Sequence, residues 1–166
     1  MNVVVAGMGN VLRGDDGFGV VVAQRLEAAG APAGVRVLEV GIGGIHLVHE
    51  LLDRARAVIV VDAVDLGRAP GTVVVMQPDV KDVHALTPRQ RLDELADMHY
   101  ATPERALMLA RALGVLPQVV WLVGCQPRDA DRLGEGLSPD VAAAVEPAIA
   151  EVRRLVGELG VDWPES

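Results

Sequence analysis

Three observations predict an α/β fold of three layers, a mixed five-stranded sheet between helices with one strand antiparallel. Apolar runs of strand length at 3–6 and 58–61 carry no polar residue, as strands buried on both faces do. Segments with helical spacing of apolar residues alternate with such runs, which implies parallel strands joined by right-handed crossovers. The connection from Asp62 to Val73, interrupted by Gly67, Pro70 and Gly71, is shorter than the dozen or so residues that a parallel return needs.

The first strand stops at Gly7 and runs into a glycine-rich loop, Gly7-Met8-Gly9-Asn10. Phe18, Val21, Val22 and Leu26 then recur at helical spacing, with Gly30 as the stop. Val35, Val37 and Leu38 mark the second strand, and Gly41, Gly43 and Gly44 break it. Ile45, Val48 and Leu52 mark a second helix, and the third strand runs from about Ala57 to Val61, ending at Asp62. The fourth, 72–76, is the antiparallel one and belongs near a sheet edge. Thr87-Pro88 and Thr102-Pro103 each read as an N-cap followed by proline in the first helical turn. Leu92, Leu95 and Ala96 supply the apolar side of one helix; Leu107, Ala110 and Leu113 supply that of the next, which Gly114 ends. The fifth strand is 119–123. Ser138-Pro139 opens a last helical region with Val141, Val145, Ile149, Val152 and Val156 facing inward, and Pro147 is expected to kink or split it.

The chain has 166 residues, a length that suits one domain over 1–166, and 51% of them are hydrophobic. A net charge of −8, with 15 Lys and Arg against 23 Asp and Glu and no basic cluster, argues against nucleic-acid binding. The apolar runs are too short to span a bilayer, and the N-terminus enters a strand at once, so neither a membrane anchor nor a signal peptide is expected. A single cysteine, Cys125, can neither form an internal disulfide nor build a zinc site alone, which fits a reducing cytoplasm. It reads as a small buried residue at a strand end rather than a nucleophile, since no histidine partner stands near it in the sequence.

In open α/β sheets ligands gather beyond the carboxyl ends of the strands, where strand order reverses. With the second and first strands on one side and the third on the other, the reversal falls between strands one and three. Asp15 and Asp16 follow the first and Asp62 ends the third, so these carboxylates are expected to meet over one cleft. His99, in a connection returning to the same sheet, is placed to join them. Two carboxylates and an imidazole suit a borderline divalent ion and leave positions open for substrate or water. Each residue also has a plainer reading: Asp16 as a helix cap, Asp62 as a turn residue, His99 as a solvated loop histidine. Gly7-Met8-Gly9 suggests a nucleotide-binding turn with Glu39 holding a ribose, but Leu12 stands where the third glycine belongs, and the two aspartates would repel a pyrophosphate. His46, His49 and Glu50 lack the order of a zinc-protease motif and read as a solvated helix face, as Glu94 and Asp97 read as an exposed acidic one.

At Gly7-Met8-Gly9-Asn10-Val11-Leu12 with Asp15-Asp16-Gly17-Phe18-Gly19-Val20, the chain closely resembles the hydrogenase maturation endopeptidases. The likeness continues through Val60-Val61-Asp62-Ala63, Ala69-Pro70-Gly71-Thr72, Val123-Gly124-Cys125-Gln126-Pro127, Gly136-Leu137-Ser138-Pro139 and Val145-Glu146-Pro147-Ala148, in order along almost the whole chain. The resemblance implies a five-stranded mixed sheet between helices. It maps the family's two metal-site acids onto Asp16 and Asp62 and its histidine onto His99. It implies an endopeptidase that removes the C-terminal extension of a nickel-loaded [NiFe]-hydrogenase large-subunit precursor, with the nickel brought by that precursor rather than permanently bound. Asp16, Asp62 and His99 would be both metal-contacting and catalytic, the enzyme a monomer, and Gly41, Gly43 and Gly44 a flexible loop for the precursor's extended C-terminal segment. Relatives often carry an acid, two glycines and a threonine after the second strand; here the stretch is Glu39-Val40-Gly41-Ile42-Gly43-Gly44, without the threonine. The competing functions are a maturation chaperone that senses nickel without cutting, and a small nucleotide-binding domain.

Overall fold

The computed structural model describes residues 2–96 and 102–165, the side chains of Leu95 and Ala96 excepted. Among them the strands are β1 (Val3–Met8), β2 (Val35–Gly41), β3 (Ala57–Ala63), β4 (Val73–Met76) and β5 (Val119–Cys125). The helices are α1 (Phe18–Ala29), α2 (Gly44–Leu51), α3 (Pro88–Ala96), α4 (Pro103–Ala112), α5 (Pro139–Ala142) and α6 (Val145–Glu158). The sheet order is β2-β1-β3-β5-β4. β1 pairs in parallel with β2 and β3, and β3 with β5. β4 runs antiparallel to β5 at the edge, as the short connection after Asp62 requires.

The apolar runs of β1 and β3 serve two cores because successive strand residues point to opposite faces. Val3, Val5, Ile59 and Val61 pack with Phe18, Val22 and Leu26 of α1 and with Val152, Leu155 and Val156 of α6. Val4, Ala6, Val58 and Val60 pack with Leu47, Val48 and Leu51 of α2 and with Ala106, Leu107 and Ala110 of α4. α1 sits very close to the sheet. A Cβ on Gly19 would lie 2.1 Å from the Val61 carbonyl oxygen and 2.4 Å from that of Met8, so the helix can seat there only with glycine.

Several local expectations are corrected. α2 turns Leu47, Val48 and Leu51 inward, and Ile45 and Leu52, at 69% and 52% exposure, face out. Leu113 lies beyond α4 and is exposed, and its place in the inward stripe is taken by Ala106. Leu92 is exposed as well, so it does not form a buried side of α3. Thr87 and Gln90 close a reciprocal capping box at the start of α3, and Thr102 caps α4 by accepting from the Arg105 amide. The last helical region does split, but at Ala143 and Ala144, ahead of Pro147. The proline stands in the first turn of α6, where its missing N–H would have had no intrahelical partner.

Candidate active site

β1 is flanked by β2 on one side and β3 on the other, so the strand order reverses between β1 and β3 as expected. Over that point stands a single 3-10 turn, Gly14–Gly17, which delivers Asp15 and Asp16 just before α1. The sequence places Asp15 with the cleft carboxylates; the structure turns it away. Asp15 is 1% exposed, and its carboxylate accepts hydrogen bonds from the Arg128, Asp129 and Ser138 amides and from the Ser138 hydroxyl. Burial pushes the Asp15 pKa up, but these donors outweigh it and hold the carboxyl below its ordinary value. Ser138 consequently makes no side-chain cap on α5, contrary to the usual role of a serine at that position.

Asp16 goes the other way. Its Oδ2 accepts from the Asn10 amide at 3.0 Å, and it does not cap α1, whose N-cap is Gly17. The chain reaches this arrangement through Gly9, at φ +124°, where a Cβ would stand 1.9 Å from the Asp16 carbonyl oxygen and 3.5 Å from Asp62 Oδ1. Gly9 is thus the point where the backbone of Asp16 and the side chain of Asp62 converge.

Asp62 is no turn residue: it is the penultimate residue of β3, in register with Gly124 of β5. It is 8% exposed, and its Oδ1 is buried without a hydrogen-bond partner among the described residues. Burial, reinforced by the charge of Asp16 and by Glu104, pushes its pKa up to about 8, against a backbone hydrogen bond from Ala63 that pulls the other way. Glu104, in the first turn of α4, was not singled out in the sequence. Only a tertiary contact reveals that this turn acts on the end of β3. His99 lies outside the described residues. Among the described residues no group of three His, Cys, Asp or Glu side chains is gathered for a metal. The unpartnered Asp62 oxygen, beside a second carboxylate, is nonetheless suited in chemistry to a cation.

The other candidates separate. Gly41 accepts the Gly9 amide at 2.9 Å and so ties the β2–α2 loop to the Asp16 side of the site. Gly43 precedes α2, while Gly44 is its first residue and is buried. His46 and His49 stand on the outer face of α2, with His46 3.7 Å from Glu50. Glu39 Oε2 accepts from Gln24. Glu94 departs from the exposed acidic face expected of it: it is half-buried and paired with Arg105 at 3.1 Å, joining α3 to α4, while Asp97 lies outside the described residues. Cys125 is fully buried, and that burial, with the charge of Asp15, pushes its thiol up to about 11. No helix among the described residues is long and apolar enough to cross a membrane.

A family model described as hydrogenase maturation protease matches residues 20–155. The hydrogenase expression/formation protein HupD of Rhodobacter capsulatus is 38% identical over 161 residues, covering 96% of this chain and 73% of that protein. HupM of Azotobacter chroococcum is 37% identical, with coverage of 96% and 74%. Among solved structures, the hydrogenase maturating endopeptidase HybD from E. coli superposes with a TM-score of 0.77 at 27% identity, over 98% of this chain and 96% of that one. A hydrogenase 2 maturation peptidase from a Thaumarchaeota archaeon gives 0.67 at 34%, over 95% and 99%. The family model covers most of the chain, and these relatives and solved structures cover at least 95% of it; they place the chain in the hydrogenase maturation protease family, as a peptidase.

Proposed function

We propose that the protein is a cytoplasmic, monomeric endopeptidase that removes the C-terminal extension of a nickel-loaded [NiFe]-hydrogenase large-subunit precursor. The family membership supports the substrate class. The observation that carries the site is the buried Oδ1 of Asp62, without a hydrogen-bond partner among the described residues, beside the carboxylate of Asp16. A buried oxygen with no donor is costly unless a ligand completes it, and a nickel ion carried in by the precursor does so. In this reading the metal is part of the substrate, and Asp16, Asp62 and His99 are the groups that contact it.

Bound nickel supplies Lewis-acid charge next to the scissile carbonyl. The chain's own residues hold it, exclude water around Asp62 and manage protons. Asp62, its pKa pushed up to about 8 by burial, gives up its proton as a cation approaches. A carboxylate oxygen of Asp16 or Asp62 left free of the metal can take the proton of the attacking water, and His99 can hand one to the leaving amine. The β2–α2 loop with Gly41 and Gly43 borders the same end of the sheet and would receive the extended C-terminal segment. The buried lone thiol fits a reducing cytoplasm.

The test follows precursor mass with and without nickel loading, for the unaltered protein and for Asp16→Ala, Asp62→Ala and His99→Ala. Loss of a C-terminal peptide from the loaded precursor alone, at least a hundredfold slower in each variant (on the order of one catalytic group removed), is the expected result. Tight binding of loaded precursor without cleavage would instead indicate a nickel-sensing chaperone.

A further inference from the structure

We propose that Asp15 is a positioning residue for the reaction: its carboxylate, locked onto the β5–α5 loop, fixes the turn that aims Asp16 at Asp62. The inference rests on the reading of Asp16 as a nickel-contacting acid.

Asp15 and Asp16 are consecutive in the 3-10 turn Gly14–Gly17. With three residues per turn, neighbouring side chains diverge by about 120°. Where Asp15 points therefore decides where Asp16 points. Oδ2 of Asp15 accepts from the Arg128 amide at 2.9 Å, the Asp129 amide at 3.1 Å and the Ser138 hydroxyl at 2.8 Å, and Oδ1 accepts from the Ser138 amide at 2.7 Å. Three of these donors crowd Oδ2 and one sits on Oδ1, and the carboxylate is buried among them, facing the β5–α5 loop. Its contribution is therefore mechanical.

The backbone around it is bound to the same loop. The Gly14 amide donates to the Gly134 carbonyl at 2.9 Å and the Asp15 amide to the Asp129 carbonyl at 3.2 Å. On the opposite flank, the close approach of Gly9 to the Asp16 carbonyl leaves the turn no room to move inward. Packing gives less support at its outer side, where a cleft of about 250 Å³ lies between Val11, Gly14 and Gly17 on one wall and Gly136 and Leu137 on the other. The hydrogen bonds of Asp15, next to Gly14, reach Ser138, next to Leu137, and so tie the turn to the β5–α5 loop beside that cleft. Without them, the turn can shift outward and carry Asp16 away from Asp62.

Asp15→Asn preserves shape but turns one acceptor into a donor facing other donors. Ser138→Ala removes one of the four bonds, and Ser138→Thr keeps the hydroxyl. Two readouts apply: steady-state cleavage of nickel-loaded large-subunit precursor, and amide hydrogen exchange at Asn10, whose N–H is held by Asp16 Oδ2. A positioning role predicts that Asp15→Asn lowers kcat on the order of a hundredfold, as a misplacement near 1 Å does, with KM changed by less than about threefold. Exchange at Asn10 should accelerate at least about tenfold. Ser138→Ala should fall between, and Ser138→Thr should match the unaltered protein. The proposal is overturned if exchange accelerates only at Arg128, Asp129 and Ser138 while Asn10 stays protected and kcat per folded molecule is unchanged. If Asp15→Asn does not fold, Ser138→Ala decides by the same two readouts. If the unaltered protein does not cut the precursor, the parent reading has failed, and exchange at Asn10 still decides whether Asp15 aims Asp16.

Discussion

Asp62 Oδ1 lies buried, without a hydrogen-bond partner among the described residues, on the flank of Gly9 where the Asp16 backbone also converges. One carboxyl is thus held in a dry setting next to a second that keeps a hydrogen bond to the Asn10 amide. This pairing has a consequence for stability as well as for ligand binding.

The folded-state pKa of Asp62 is raised from 3.8 to about 8, so between those pH values the native protein holds a proton that the unfolded chain has released. Stability therefore falls as pH rises through this window, by a term on the order of a few kcal/mol. Urea unfolding of the metal-free protein at pH 5 and pH 8.5 measures it. Asp62→Asn should flatten the difference. A pH dependence equal in the two proteins would show that Asp62 titrates normally.

Asp15 contributes with the opposite sign, since its folded-state pKa is lowered. Its stabilisation is present above the ordinary carboxylate range and is lost as pH falls through the depressed value. Asp15→Asn should therefore destabilise the protein at neutral pH by about 3 kcal/mol, the usual scale for leaving buried donors unmatched. The deficit should shrink in acid, as thermal or urea unfolding across the acidic range would record.

Gly19→Ala should cost at least about 3 kcal/mol, because the new Cβ would overlap backbone oxygens of both β1 and β3 and neither can move alone. Calorimetry should show a large fall in Tm. A shift of only a degree or two would mean that α1 seats less closely than described.

Gln126 holds the connection between β3 and β4. Its Oε1 accepts from the Leu66 and Arg68 amides, and its Nε2 donates to Asp65 Oδ1 and the Pro127 carbonyl. Gln126→Ala should lose about 1–3 kcal/mol and speed amide exchange at Leu66 and Arg68, with residues in the middle of β3 unchanged.

Cys125→Ala should retain cleavage within about threefold and cost roughly 1 kcal/mol from lost packing. The thiol is fully buried and its pKa is about 11, so it forms little thiolate at neutral pH. Native protein should resist thiol reagents on the timescale of a cleavage assay. Rapid modification with parallel loss of cleavage would reopen a role for the cysteine.

The layers, the five strands and the antiparallel edge were legible in the sequence because each rests on local signals: unbroken apolar runs, helical spacing, caps, and one connection too short for a crossover. The reversal between β1 and β3 was legible too, and with it the approach of Asp16 and Asp62. Strand ends were less so. β1, β3 and β5 each run past the expected stop, since pairing to a neighbour continues where the apolar pattern ends.

Tertiary structure alone decided the rest. Asp15 and Asp16 are chemically the same and adjacent, and what sends one into a loop and the other into the cleft is a set of donors more than a hundred residues away. The inward face of α2 was set by its packing against β1, β3 and α4, which chose Leu47 and Leu51 over Ile45 and Leu52. The raised pKa of Asp62 depends on its burial and on Glu104 as well as on Asp16, and neither spacing nor composition revealed that burial or brought Glu104 to its side. Periodicity records which face of an element is apolar. Which side chain meets which is determined only when distant segments close on one another and unpaired polar groups must find partners.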